Sequence, residues 1–246
     1  MKQITSLDNP LIKKVAHLAT PKGRATHKLF VAEGLRTCKT LCQSSLMLDT
    51  FFVTEQTVEI ARIFVPEDRL MLVSVQIMDK IAATKTPSGF LGVFSIPRTP
   101  TPSTLGPGLV LYALSDPGNM GTLIRSAVAF DRPQLIVISG VDPYNPKVVQ
   151  ASAGTIGQAA LIFMTWQELY NHKQRPPIHA LVSNGGTPPD HTSKETLLLV
   201  GGEANGLPDP VLKQCDRLIT LGMPGPAESL NAAIAGSIAL YLSVNN

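Results

Sequence analysis

Cysteine is scarce and poorly spaced for chemistry. The 246 residues hold three, Cys38, Cys42 and Cys215. An odd number without a CxxC pair supports neither a disulfide framework nor a zinc site, and leaves buried reduced thiols as the plain expectation. The five histidines, at 17, 27, 172, 179 and 191, show no metal-ligand spacing either, so no metal is expected. No apolar run is long enough to span a bilayer, and Met1-Lys2-Gln3-Ile4-Thr5-Ser6 lacks the apolar core of a signal peptide. The expectation is therefore a cytoplasmic protein that does not enter membranes. Two common catalytic signatures are missing as well: Gly118 and Gly121 do not make G-x-G-x-x-G, and no G-x-S-x-G elbow is present to hold a nucleophilic serine.

What is present is globular in composition, with 44% hydrophobic and 16% charged residues. Net charge is only +3, but it is unevenly placed. Residues 1–40 hold eight Lys/Arg against two acids, and the remainder carries thirteen against sixteen. A cationic N-terminal segment suits a surface that meets nucleic-acid phosphates, with Lys13, Lys14, Lys22 and Arg24 as candidates; a solvated basic helix face explains the same charge. From Pro97 to Gly108 the chain concentrates proline, glycine and small polar residues, the composition of a semi-extended linker. It divides the sequence into domains 1–96 and 108–246, joined by 97–107.

Hydrophobic periodicity in the first part predicts helices over Asn9–Leu18, Leu35–Leu46 and Val75–Ala83. Strands are predicted at Leu29–Val31, Thr50–Val53, Arg69–Val73 and Gly89–Ser95, making a small α/β sandwich. The second part alternates more regularly: strands start near Leu109, Gln134, Ala160, Ile178, Thr196 and Arg217, with helices over Met120–Phe130, Pro146–Ala153 and Ser229–Leu242. That alternation predicts a mainly parallel sheet.

Polar motifs follow the strands. Asn119, Gly121 and Arg125 form N-x-G-x-x-x-R across a strand-to-helix junction, where Asn119 is also a natural helix cap and Arg125 a natural partner for a surface ion pair. Ser183 closes the strand at Ile178–Val182. Gly201-Gly202-Glu203 follows Leu197–Val200, and Met223 to Asn231, containing Glu228-Ser229-Leu230-Asn231, follows Leu218–Leu221. In an open α/β sheet the carboxyl ends of the strands are where ligands bind. Glycines there permit close approach to the backbone, while Glu203, Ser229 and Asn231 add an acceptor, a hydroxyl and an amide.

N-x-G-x-x-x-R, G-G-E-x-x-G-L and M-x-G-x-x-E-S-L-N, in this order and spacing, resemble the three motifs of the SpoU (TrmH-like) branch of the SPOUT RNA methyltransferases. The likeness covers the whole C-terminal part. The N-terminal stretch from Ser6 to Lys13, with Lys22, Arg24, Phe30 and Glu33-Gly34, is similar to the L30e-like substrate-binding domain that precedes the catalytic domain in many members. The resemblance implies an α/β trefoil-knot fold, a homodimer formed through the C-terminal domain, and S-adenosylmethionine as cofactor. The implied activity is methylation of a ribose 2′-hydroxyl in structured RNA. Carried over by position, cofactor contacts fall to Ser183, Gly201, Gly202, Leu221, Met223 and Leu230, and the reacting end to Asn119, Arg125, Glu203, Ser229 and Asn231. The implied roles are Arg125 beside the 2′-oxygen and a phosphate, Asn119, Ser229 and Asn231 on the ribose, and Glu203 orienting Arg125 or the pocket backbone.

Two positions depart from the pattern. Gly222 stands where many members carry the proline of I-P-M, which loosens a loop of the pocket, and Gln150 replaces an arginine before Ala151-Ser152-Ala153-Gly154. The chain ends at Asn246, soon after the last helical pattern, and so lacks the C-terminal extension of the transfer-RNA members; ribosomal RNA is favoured over transfer RNA. Against this stand a transfer-RNA ribose methyltransferase, an RNA-binding protein that retains the fold without catalysis, and a doubly wound enzyme using another nucleotide cofactor.

Overall fold

The computed structural model describes residues 1–98, 102–190, 194–203, 206–226 and 229–245; part of the 97–107 linker, His191, and Ala227 and Glu228 of the last motif lie outside this range. The chain forms two compact units, Met1–Arg98 with Asp142–Gln158, and Thr99–Val141 with Ala159–Asn246. Among the described residues no helix is long and apolar enough to cross a membrane. No group of three His, Cys, Asp or Glu among them could hold a metal ion.

The first unit runs β1 (Lys2–Ile4), α1 (Pro10–His17), α2 (Pro21–His27), β2 (Leu29–Glu33), α3 (Leu35–Cys42), β3 (Leu48–Val53), α4 (Val58–Ala61), β4 (Leu70–Val73), α5 (Val75–Ile81) and β5 (Phe90–Ser95). Helix starts follow capping chemistry. The Asn9 side chain accepts from the Leu11 N–H with Pro10 next, and Thr20 does the same for Gly23 before Pro21. The five strands order as β1-β4-β3-β5-β2, with β1, β4 and β3 parallel and β5 antiparallel to β3 and β2. Ile12, Val15 and Leu18 of the α1 region and Ile77, Met78 and Ile81 of α5 bury against Phe52, Leu91 and Val93.

The second unit begins with β6 (Gly108–Leu114), α6 (Pro117–Ala129) and β7 (Gln134–Gly140). The chain then leaves it: residues 142–158, which carry α7 (Pro146–Ala151), belong to the first unit, where Tyr144 lies against Phe30 with ring centroids 5.1 Å apart. It returns as β8 (Ala160–Phe163), α8 (Trp166–Tyr170), β9 (Ile178–Leu181), β10 (Leu197–Gly201), α9 (Asp209–Leu212), β11 (Arg217–Ile219) and α10 (Ala232–Asn245). Six strands order as β11-β9-β10-β6-β7-β8, and every pairing is parallel. Strands buried on both faces read as unbroken apolar runs, as Leu197-Leu198-Leu199-Val200 does. This is the mainly parallel α/β architecture that the alternation predicts.

Candidate active site

Parallel strands end on one side, so β6, β9, β10 and β11 deliver their following loops to a common edge. At the end of β6, Ala113 takes a left-handed φ of 52°. Pairing with β7 skips Ala113 and resumes at Leu114 opposite Gly140, after which Ser115 leads into the cap of α6, where the Asp116 side chain accepts from the Asn119 N–H at 2.8 Å.

Three polar residues that lie up to 112 positions apart in sequence meet beside that turn. Asn119, buried on α6, donates from Nδ2 to Glu203 Oε1 at 2.7 Å and accepts at Oδ1 from Asn231 Nδ2 at 2.9 Å. Asn231 Oδ1 in turn accepts the N–H groups of Ala233 and Ile234, capping α10. The other oxygen of Glu203 accepts from the Ser115 hydroxyl at 2.9 Å and the Ser115 N–H at 3.3 Å. Partial burial on its own would raise the Glu203 carboxyl, but the hydrogen bonds from Asn119 and Ser115 outweigh it and hold the group below the ordinary glutamate range. The carboxylate therefore stays ionised and acts as the hub that ties the β10 loop to the β6 loop.

Next to this brace lies an open cleft of about 590 Å³. Five of the six positions assigned to the cofactor line it: Ser183, Gly201, Leu221, Met223 and Leu230. Ser229 lines it too, as do Gly206 and Leu207 of G-G-E-x-x-G-L, together with Leu181, Val182, Val200, Ala232 and Ala235, which the motifs did not single out. Their only sequence signal was position: the last residues of an apolar strand, or the small residues that open α10. Apolar walls with two hydroxyls and strand-end backbone suit an adenosyl group, so the residues present fit S-adenosylmethionine.

The geometry bears on four expectations and overturns the last of them. Gly202 lines the part of the same hollow that reaches Glu203 and Asn231, and a Cβ there would come within 2.4 Å of the Ala113 carbonyl oxygen, so the glycine also lets the β10 loop pack against β6. Asn119 and Asn231 are bonded to protein through both amide atoms, so they brace the site, and each Nδ2 uses one of its two hydrogens in doing so. Of the two roles expected of Glu203, its bonds go to the pocket backbone, at the Ser115 N–H, and to the Ser115 hydroxyl and Asn119, while Arg125 is exposed and has no hydrogen bond or ion pair among the described residues. Ser115 itself was missed, since a lone serine after a strand carries no signal. The fourth concerns Arg24. It is 1% exposed, donating to Asp142 Oδ2 at 2.7 Å and to the Leu18 and Ala19 carbonyls, and cannot reach a phosphate. Of the other basic candidates, Lys13 pairs with Asp8 at 2.9 Å, Lys22 is exposed and Lys14 half-buried.

Residues 107–241, which hold the brace and the cleft, match the model of the SpoU rRNA Methylase family. The chain belongs to that family. Residues 9–92 match the MRM3-like substrate binding domain. An uncharacterized tRNA/rRNA methyltransferase of Synechocystis sp. is 30% identical over 97% of this chain and 92% of its own length. The 23S rRNA (guanosine(2553)-2′-O)-methyltransferase RlmP of Bacillus subtilis is 25% identical over 98% of each chain. Among solved structures, the AdoMet-bound rRNA methyltransferase from Sinorhizobium meliloti superposes with a TM-score of 0.84 at 26% identity, covering 98% of this chain and 97% of that one. The SpoU likeness thus extends beyond the motif-bearing unit to the whole described chain.

Proposed function

We infer that this protein transfers the methyl group of S-adenosylmethionine to a ribose 2′-hydroxyl of RNA, with ribosomal RNA as the substrate class. The observation that carries the reading is the brace of Ser115, Glu203, Asn119 and Asn231 beside an open, largely apolar cleft, in a chain of the SpoU rRNA methylase family. Ser183, Gly201, Leu221, Met223 and Leu230 would hold the cofactor, which supplies an electrophilic methyl group when bound. The brace fixes the β6 and β10 loops around the reacting end; orientation of this kind supplies several kcal/mol of a transfer barrier. Arg125 projects a permanent cation into solvent, suited to an RNA phosphate and to negative charge developing on the ribose oxygen. Ser229, exposed at the cleft, is the hydroxyl available to the ribose.

The same reading gives the first unit the task of binding RNA, with Lys14 and Lys22 meeting phosphates, and includes a knotted C-terminal unit that works as a homodimer in the cytoplasm. An apolar stripe on α10 supports the dimer: Ile234, Ile238 and Tyr241 are 40 to 51% exposed at spacings of four and three residues.

Mapping 2′-O-methyl sites in total RNA from cells with and without the protein tests the activity; one ribosomal site should disappear with the protein. Calorimetry should detect S-adenosylhomocysteine binding and none of NAD or ATP. Binding of NAD in its place would overturn the cofactor assignment.

A further inference from the structure

The first unit has a concavity of its own, remote in sequence from the three motifs of the second unit. The parallel strands β1, β4 and β3 end level with one another, Ile4 beside Val73 and Val53 beside Leu72. Beyond their carboxyl ends opens a hollow of about 740 Å³. That is the edge at which open parallel sheets bind ligands.

The chemistry of its walls is selective. Gln3, Thr5, Glu55 and Gln56 line the hollow, all exposed, and none of their side chains has a hydrogen-bond partner among the described residues. Leu72 and the 61%-exposed Val75 add an apolar surface. No Lys, Arg or His lines it, and the one charge is the negative Glu55. A phosphate would meet repulsion there without a counter-charge. A flat, neutral group with both donors and acceptors on its edge would find matching amides and a hydroxyl, an apolar floor, and a carboxylate ready to accept from an amino group.

We propose that this hollow takes an unstacked RNA base, and that Glu55 selects bases bearing an exocyclic amino group. The proposal rests on the reading of RNA as substrate. Two observations favour a base held in a strand over a free small molecule. Residues 9–92 match a substrate-binding domain. The segment that follows Thr5 of the hollow also holds a cation, Lys80 Nζ donating to the Leu7 carbonyl at 2.9 Å, a charge that a strand continuing from a bound base could use. Sequence-specific recognition of RNA works in this way, on bases splayed out of the helix.

Cytosine and uracil separate the idea cleanly, because they differ in amino against keto at one ring position. Fluorescein-labelled single-stranded rC8 and rU8 would be titrated into the full-length protein by anisotropy at fixed salt. Binding of rC8 tighter than rU8 by about tenfold is expected, with Glu55→Gln bringing the ratio near one and Gln3→Ala with Gln56→Ala weakening both oligomers. Equal affinity of the unmodified protein for both, or an unchanged ratio in Glu55→Gln, overturns the proposal. Melting temperature and S-adenosylhomocysteine affinity, which report the fold and the second unit, should not move in these variants. Methyl incorporation into bulk ribosomal RNA is measured in parallel. Methylation without base preference sinks the hollow alone, whereas a Glu55-dependent preference without methylation sustains it and sinks the enzymatic reading.

Discussion

Asn231 does two jobs with one side chain: its oxygen caps α10 and its amide nitrogen braces Asn119. The two can be separated. Asn231→Asp keeps an acceptor for Ala233 and Ile234, so the cap and the helix should hold within about 0.5 kcal/mol. It also sets an oxygen against Asn119 Oδ1, and Asn119 cannot turn its amide round without facing Glu203 with the wrong end. A fall of about 100-fold in kcat with little change in melting temperature is expected, the scale of loss that a small misplacement of a reacting loop produces. A variant with normal kcat would remove Asn231 from the brace. Arg24 belongs to the same scale. Arg24→Met strands Asp142 and two carbonyls that the guanidinium satisfies, and should destabilise the first unit by about 3 kcal/mol in urea titrations, since breaking a buried pair costs more than the pair was worth. It should leave the salt slope of RNA binding unchanged, whereas Lys22→Glu should flatten it.

At the level of elements, the glycines of the two pocket loops look alike in sequence and differ in the fold. Gly202 is pressed against the Ala113 carbonyl, so a methyl group there must push β6 and the β10 loop apart. A Cβ on Gly222 meets nothing within 4 Å, and its φ is outside the left-handed region. Gly222→Ala should therefore stabilise slightly, by about 0.5 kcal/mol through the unfolded chain, while Gly202→Ala should lower the melting temperature and weaken S-adenosylhomocysteine binding. A tolerated Gly202→Ala would show that this loop gives way. The strands themselves were legible because each is an uninterrupted apolar run closed by a polar turn. Ends were less so: α3 stops at Cys42 instead of Leu46, and α10 starts at Ala232 instead of Ser229, where Asn231 caps it. Strand β1 and helix α2 were not foreseen. Three residues carry too little periodicity to register, and a helix that buries a glycine and an arginine has no apolar face to recognise.

Across the whole molecule, local pattern could not reveal which distant segments meet. Composition locates a proline-rich divide near residue 97, but nothing between Asp142 and Gln158 marks it as part of the first unit, because the signal is a partner, Arg24 or Phe30, more than a hundred residues earlier. The brace was found only because three motifs were taken together; Ser115, its fourth member, stands in no motif. The last helix poses the remaining question at this scale. α10 buries Ala233, Gly236, Ala239, Leu240 and Ser243 on its own unit, yet Ile234, Ile238 and Tyr241 remain half exposed on its other side. A soluble monomer gains nothing from such a stripe, whereas a second copy of the chain would cover it. Ile234→Glu with Ile238→Glu should therefore convert a dimer to a monomer in sedimentation velocity without lowering helix content, since both side chains already face away from the core. Methyl transfer by that monomer then decides what the contact is for: full activity would make the pairing a matter of stability alone, and loss of activity with intact S-adenosylhomocysteine binding would mean that each site needs the neighbouring copy to receive its RNA.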